Sequence, residues 1–129
     1  GGRANLTYHL DYGSHEYVLR RPPLGPVAPT AHDMAREYSV LSVLHNTFPL
    51  APKAYLFSDE ESIVGAPFFI MNRHSGIVVR KNMPSEFADE PHAGRQMSIA
   101  LADALAEFHK VDYESLGLQS LGKPDGFID

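Results

Sequence analysis

The sequence predicts an α+β fold with a small antiparallel sheet, and three observations lead to this prediction. Two short segments near the beginning of the chain are rich in β-forming residues and are separated by a turn signal. A segment in the middle is almost wholly apolar, and two longer segments repeat apolar residues at helical spacing. The resulting order is strand, strand, helix, strand, strand, linker, helix, which lacks the regular strand–helix alternation of a doubly wound parallel sheet.

The first two predicted strands form an antiparallel hairpin. In residues 6–10, Leu6, Tyr8 and Leu10 alternate with polar residues, as expected for a half-buried strand. Residues 11–14 (Asp-Tyr-Gly-Ser) are a turn signal, and residues 16–20 form a second segment rich in β-formers. Two prolines at positions 22 and 23 end it, because proline cannot donate a hydrogen bond to a ladder.

Residues 30–45 predict the first helix. Thr30 is a candidate N-cap, and Asp33 places a carboxylate in the first turn. The apolar stripe consists of Met34, Tyr38, Leu41 and Leu44. Prolines at positions 49 and 52 follow the helix and separate it from the next strand.

Glu37 lies within the direction of this apolar stripe. A carboxylate that points at a core is costly unless it is paired or hydrogen-bonded. Arg20 or Arg21, at the end of the second strand, is a candidate partner, because the helix is expected to cover that strand. The alternative is a glutamate at the edge of the stripe that reaches solvent along its stem. The spacing alone leaves both interpretations open.

Two further strands are predicted at residues 53–58 and 67–71, joined by an acidic turn at 59–61. Residues 68–71 (Phe-Phe-Ile-Met) predict a strand that is buried on both faces. The polar segment 72–76 then breaks it. Two interpretations remain open. Backbone groups left unpaired there could form hydrogen bonds with the edge of an adenine base, or the segment is an ordinary transition from strand to loop. Residues 94–111 predict a second helix, whose stripe is Met97, Leu101, Ala104, Leu105, Phe108 and Val111.

Gly1 and Gly2 belong to residues 1–5, the segment just before the first strand. Glycines allow a backbone with exposed N–H groups to approach a phosphate, although the same pair is also common in ordinary turns.

Composition excludes several classes of function. The 129 residues are 43% apolar and 21% charged, and the formal net charge of −5 argues against binding to nucleic acid or to an anionic membrane surface. The chain has no cysteine and no apolar run as long as a membrane span, so a cytoplasmic location is expected. Its seven histidines lack ligand spacing, and no metal site is predicted. The first residues lack a methionine and the last ones follow a turn signal, so we expect a fragment of a larger protein.

Five motifs, taken in order, resemble the aminoglycoside phosphotransferase and choline kinase-like family. They are Gly-Gly-x-x-Asn-Leu-Thr-Tyr at 1–8, Tyr-Val-Leu-Arg-Arg-Pro-Pro at 17–23, His-Asp-x-x-Arg-Glu-Tyr at 32–38, Phe-Phe-Ile-Met at 68–71 and Ala-Leu-Ala-Glu-Phe-His at 104–109. Within the family they are most similar to the kinase-like domains fused to some acyl-CoA dehydrogenases and to bacterial relatives. The resemblance covers residues 1 to about 118.

This resemblance implies a protein-kinase-like N-terminal lobe, followed by a hinge and the first helix of the C-terminal lobe. It divides the chain into a nucleotide-binding lobe at 1–76, a hinge or linker at 77–93 and the incomplete C-terminal lobe at 94–129. By the same resemblance, Arg20 matches the strand position of the lysine that binds the α- and β-phosphates, and Glu37 matches its partner in the helix. Arg20 is favoured over Arg21 because residues 17–20 align best with that strand.

The remaining site residues also follow from the resemblance. Gly1, Gly2 and Asn5 match the loop at the nucleotide phosphates. Met71 matches the gatekeeper behind the adenine pocket, and the hinge positions matched are Asn72 and His74. The implied cofactors are ATP or GTP with Mg²⁺, and the implied partner is a small molecule with a hydroxyl group.

The family's catalytic loop and its magnesium ligands have no counterpart in these 129 residues. We therefore expect no catalytic residue in this chain, no activity of the fragment alone, and a larger parent protein that transfers phosphate. The alternative is a non-catalytic nucleotide-binding or scaffold module of kinase-like fold. A hydroxyacyl compound, an antibiotic, a sugar and choline all remain open as acceptors. Apolar surface around Phe108 predicts self-association of the fragment.

Overall fold

The computed structural model describes residues 4–23, 25 and 33–122 of the chain. Within them, the described parts of Gly1–Arg73 and Asp112–Asp129 form one compact unit, and His74–Val111 forms another. The functional division predicted at 1–76, 77–93 and 94–129 stays a prediction. The α+β fold class is confirmed, because a four-stranded antiparallel sheet and helices make up the described residues.

The sheet has the strand order β1-β2-β4-β3, and every neighbouring pair is antiparallel. The strands are β1 (Leu6–Asp11), β2 (Glu16–Arg21), β3 (Ala54–Ser58) and β4 (Phe68–Asn72). The hairpin of β1 and β2 closes with a hydrogen bond from Tyr12 N to the His15 carbonyl at 2.9 Å. The four predicted strands are therefore confirmed, with small differences at their ends.

Helix α1 (Met34–Leu44) packs on one face of the sheet. Strand alternation places Arg20 and Val18 on the same face as their partners in β4, Phe69 and Met71. The core on this side centres on Phe69, which is fully buried, and Met34, which is 2% exposed. The other members of this core are Ala54, Tyr38, Leu41, Phe57 and Met71. The predicted stripe of the helix therefore supplies its buried side.

Helix α1 begins later than the sequence predicts. Its N-cap is Asp33, whose side chain accepts a hydrogen bond from Arg36 N at 2.9 Å, and its first residue is Met34. The prediction that Thr30 begins the helix is therefore wrong, and Thr30 itself lies outside the described residues. Asp33 can cap the helix because its short carboxylate accepts a hydrogen bond from the backbone N–H three residues on.

The connection between β3 and β4 also differs from the prediction. The acidic segment is not only a turn: α2 (Glu61–Val64) forms one helical turn that ends at Gly65, with φ of +78°. The prediction that the apolar strand is buried on both faces is half right. Phe68 and Phe69, which point to opposite faces, are both buried, but Ile70 and Met71, farther along the strand, are only half-buried.

The unit His74–Val111 contains a short 3₁₀ helix (Ser85–Phe87) and α3 (Ala93–His109). The predicted second helix is confirmed, one residue earlier at its start and two residues shorter at its end. Half of its apolar stripe is exposed, with Leu101 64%, Leu105 49% and Phe108 46% exposed, and the other three stripe residues are half-buried. The predicted self-association through this surface stays a prediction. A second 3₁₀ helix (Gln119–Leu121) belongs to the unit that contains the sheet and lies near the end of the described residues.

Candidate functional site

An ion pair joins β2 to α1 at the position that the sequence indicated. Arg20 Nε donates a hydrogen bond to Glu37 Oε2 at 2.7 Å, and each side chain is 34% exposed. The geometry decides between the two interpretations of Glu37, because its carboxylate is paired instead of extending into solvent. Of the two interpretations, pairing with an arginine at the end of β2 is the one observed, and the role of the pair in nucleotide binding stays a prediction.

The local structure of α1 explains why Glu37 can reach the sheet. Asp33 caps the helix, and Glu37 N donates to the Asp33 carbonyl at 3.1 Å, so Glu37 lies in the first turn. A carboxylate in the first turn is stabilised by the N-terminal end of the helix dipole. Met34, one turn earlier on the same side, is buried against the sheet and thereby turns Glu37 toward β2. An open groove of about 460 Å³ runs beside Glu37 along α1.

The guanidinium of Arg20 keeps a second edge available for a ligand. Its Nε is used by Glu37, while Nη1 and Nη2 have no hydrogen-bond partner among the residues that the structure describes. Two parallel N–H groups of an arginine match the spacing of two oxygens on a phosphate. The arrangement can therefore hold an anion in a fixed direction while Glu37 holds the arginine.

Asn5 meets the same carboxylate from the other side. Its Nδ2 donates to Glu37 Oε1 at 2.7 Å. The sequence placed Asn5 in a phosphate-binding loop with Gly1 and Gly2, but the two glycines lie outside the described residues. The contact of Asn5 with Glu37 was missed, because Asn5 precedes the strand and its direction could be deduced only from the pairing register.

Arg21 points away from Arg20, on the opposite face of the sheet. Its side chain is buried, with only 9% of the residue exposed, and it donates to the Val64 carbonyl through Nη1 and to the Pro22 carbonyl through Nε at 3.3 Å. Val64 is the last residue of α2, so a cation lies at the negative end of that short helix. Arg20, and not Arg21, is therefore the arginine that contacts Glu37.

Two of the predicted adenine-reading residues, Met71 and Asn72, are the last residues of β4. Met71 is half-buried and packs against the core below α1. Asn72 N donates to the Lys53 carbonyl at 3.0 Å, and Lys53 N donates to Asn72 Oδ1 at 2.7 Å. The N–H of Asn72 is therefore engaged inside the sheet. His74 is exposed and belongs to the other compact unit, and the roles of all three in nucleotide binding stay predictions.

A second polar cluster, missed by the sequence analysis, lies farther along β2. Glu16 Oε1 is 3.0 Å from His9 Nε2, and Glu16 Oε2 accepts from Arg73 Nη1 at 2.6 Å. Glu16 is four residues from Arg20 on the same strand and shares its face. His9 was considered only as a possible metal ligand, so its cross-strand pairing with Glu16 was not predicted.

Other ionisable groups contribute less to the site. Among the described residues no group of three or more His, Cys, Asp or Glu side chains could hold a metal ion. In α3, the Glu107 carboxylate accepts from Lys110 Nζ at 2.6 Å, and this hydrogen bond and charge raise the pKa of Lys110. None of the helices in the described part of the chain combines the length and the apolar character that crossing a membrane requires.

Comparisons with known proteins give consistent matches. The sequence profile described as "Phosphotransferase enzyme family" matches residues 1–129. Acyl-CoA dehydrogenase family member 11 of Gallus gallus is 34% identical over 127 residues, covering 98% of this chain and 16% of that protein. Acyl-CoA dehydrogenase family member 10 of Mus musculus is 31% identical, covering 98% of this chain and 12% of that protein.

A solved structure also matches the fold of this chain. The crystal structure of a protein assigned as an aminoglycoside phosphotransferase, from Ralstonia eutropha JMP134, superposes with a TM-score of 0.70 at 31% identity. The match covers 95% of this chain and 34% of that one. The chain thus spans about a third of the solved relative and about a sixth or less of the curated relatives.

Proposed function

Since this chain belongs to the phosphotransferase enzyme family, we propose that it forms the ATP-binding portion of a kinase for small molecules. The proposed reaction transfers the γ-phosphate of ATP to a hydroxyl group of the acceptor. The residues that carry out the transfer and the ligands of Mg²⁺ are proposed to lie outside these 129 residues. The 129 residues alone are expected to bind ATP weakly and to transfer no phosphate.

The observation that supports this proposal most directly is the ion pair between Arg20 and Glu37. Phosphoryl transfer depends mainly on positioning and on neutralising charge. An arginine meets both needs when one edge is fixed to a carboxylate and the other faces a ligand. Arg20 has this arrangement, because Glu37 binds Nε at 2.7 Å and the two Nη groups have no partner among the described residues.

Each residue of the candidate site has a distinct task in the proposal. Arg20 donates to phosphate oxygens and offsets their negative charge, and Glu37 keeps its guanidinium in place. Val18 and Met71, which face each other on the α1 side of the sheet, offer an apolar surface to the base. Backbone groups after Met71 bind the edge of the base. In this proposal the bound nucleotide is ATP, so the base at this surface is adenine and the phosphoryl group comes from ATP.

The proposal is tested by binding and transfer assays on the full-length protein. Arg20→Ala should raise the dissociation constant of ATP by about tenfold to a hundredfold, since hydrogen bonds to charged groups contribute about 1.5–3 kcal/mol. Adenosine, which has no phosphate, should bind the variant as it binds the native protein. Isothermal titration measures both affinities, and ATP labelled in the γ-phosphate reports transfer to a panel of hydroxyl compounds.

The exposed pair of Lys110 and Glu107 supplies a matched control. Lys110→Ala removes one positive charge from the protein as Arg20→Ala does, and it should leave ATP affinity unchanged. Equal ATP affinities of Arg20→Ala and the native protein would refute the proposed site. ATP binding without transfer to any hydroxyl compound would instead favour the non-catalytic nucleotide-binding module.

A further inference from the structure

Asn5 reaches the ion pair because of the register of the first two strands. Thr7 lies opposite Arg20 in the hairpin, and alternate residues of a strand point to the same face. Asn5, two residues before Thr7, is therefore a diagonal neighbour of Arg20 on the face that α1 covers. From this position its Nδ2 donates to Glu37 Oε1 at 2.7 Å.

The carboxylate of Glu37 thus receives one hydrogen bond on each oxygen. Oε1 accepts from Asn5 Nδ2, and Oε2 accepts from Arg20 Nε, both at 2.7 Å. An arginine and a carboxylate that meet without a third group commonly form two parallel hydrogen bonds, which engage Nε and one Nη, or both Nη groups. Each carboxylate oxygen can accept more than one hydrogen bond, so Asn5 acts through direction: the bond from its Nδ2 turns Oε1 toward Asn5 and away from the Nη group that a second parallel bond would engage.

We propose that Asn5 is a positioning residue that restricts Glu37 to a single hydrogen bond with Arg20 and so keeps both Nη groups available for phosphate. This inference rests on the proposed function, in which Arg20 binds phosphate. It gives Asn5 a task through Glu37 and Arg20 instead of a direct contact with the nucleotide. Without Asn5, Glu37 turns its second oxygen toward Arg20 and withdraws one Nη group from the ligand.

The first test compares nucleotides that differ in their phosphates. In the full-length protein, Asn5→Ala should raise the dissociation constant of ATP by roughly tenfold, because one charged hydrogen bond to phosphate is weakened. The affinity for adenosine and the KM for the acceptor should stay at their native values. Asn46→Ala, which alters an exposed asparagine just after α1, is the matched control and should change none of these values.

A double-substitution cycle separates positioning from a general structural role. In the Arg20→Ala background, Asn5→Ala should cause no further loss of ATP affinity, because its effect passes through Arg20. Circular dichroism and the midpoint of urea unfolding confirm that each variant is folded. An Asn5→Ala effect of the same size in both backgrounds, or an equal loss of adenosine affinity, would overturn the inference.

The variant Asn5→Asp adds a pH-dependent readout. Two neighbouring carboxylates repel each other at neutral pH, and one of them takes up a proton as the pH falls. The protonated group can again donate to the other, so ATP affinity of the variant relative to the native protein should rise as the pH falls. A ratio that does not change with pH would count against the proposed hydrogen bond.

The two hypotheses fail in distinguishable ways. If Arg20→Ala weakens ATP binding while Asn5→Ala does not, the proposed function stands and the role of Asn5 is refuted. If neither variant weakens ATP binding, the proposed function itself is refuted, and the inference about Asn5 falls with it.

Discussion

Replacing Glu37 by alanine removes the group that holds Arg20, and the structure indicates the size of the expected effects. The paired side chains are each 34% exposed, so water screens much of their attraction. Such pairs contribute about 0.2–1 kcal/mol to the free energy of unfolding, and the lost hydrogen bond with Asn5 adds about as much. We therefore expect Glu37→Ala to lower the free energy of unfolding by about 1–2 kcal/mol.

Glu37→Ala should change the affinity for ATP more, in proportion, than it changes the free energy of unfolding. An arginine side chain that is no longer held regains part of about 2 kcal/mol of rotamer entropy, which phosphate binding must then remove. The dissociation constant of ATP should therefore rise by up to about thirtyfold. Glu37→Gln keeps an acceptor for Arg20 without the charge, so its ATP affinity should lie between those of the native protein and Glu37→Ala.

Urea unfolding and isothermal titration with ATP and with adenosine measure both effects in the full-length protein. Glu107→Ala is the matched control, because it breaks an exposed ion pair in α3 that has no part in the site. A dissociation constant for ATP within a factor of about two of the native value would refute the reasoning, since the entropy argument predicts a larger change. An unfolding free energy lowered by far more than about 2 kcal/mol would show that the pair belongs to the core.

Two further predictions concern stability. Phe69→Ala should lower the free energy of unfolding, as measured with urea, by about 3–5 kcal/mol, because it empties a fully buried site between α1 and the sheet. The control Leu56→Ala, at a position 48% exposed on the neighbouring strand, should lower it much less. Equal losses would contradict the assigned core. Arg21→Ala should lower the free energy of unfolding by about 1–3 kcal/mol, because it leaves the Val64 carbonyl without its donor. The folded Arg21→Ala variant should bind ATP with native affinity. A weakened ATP affinity would show that Arg21 also contributes to the nucleotide site.

The sequence was sufficient to predict the strands and the two long helices, and it left the pairing of Glu37 with an arginine as one of two open interpretations. Each of these depends on a repeating pattern: alternation in β2 and the stripe of Met34, Tyr38, Leu41 and Leu44 in α1. Patterns of this kind reflect burial, and burial is what the structure shows at Met34 and Leu44. The choice of Arg20 over Arg21 required the resemblance to the family as well.

The features that were missed lack such a pattern. Helix α2 has only four residues, too few for a helical repeat, and its contact with Arg21 spans 43 positions of the sequence. The amide of Asn5 lies 32 positions from Glu37, and its direction depends on the register of a hairpin. The start of α1 was misplaced because both Thr30 and Asp33 are good N-cap residues, and local sequence does not decide between two such candidates.

The two adjacent arginines of β2 also bear on how the strand finds its place during folding. If β2 paired one residue out of register, Arg21 would face Glu37 and the ion pair would form just as well. The attraction between these charges therefore cannot tell the correct alignment from the shifted one. That distinction falls to the face of β2 opposite α1, where Leu19 is 8% exposed and Arg21 donates to the Val64 carbonyl. A shift by one residue would move both side chains to the other face and break this contact. In this hairpin the face opposite α1 selects the alignment, and the ion pair of Arg20 and Glu37 follows from it.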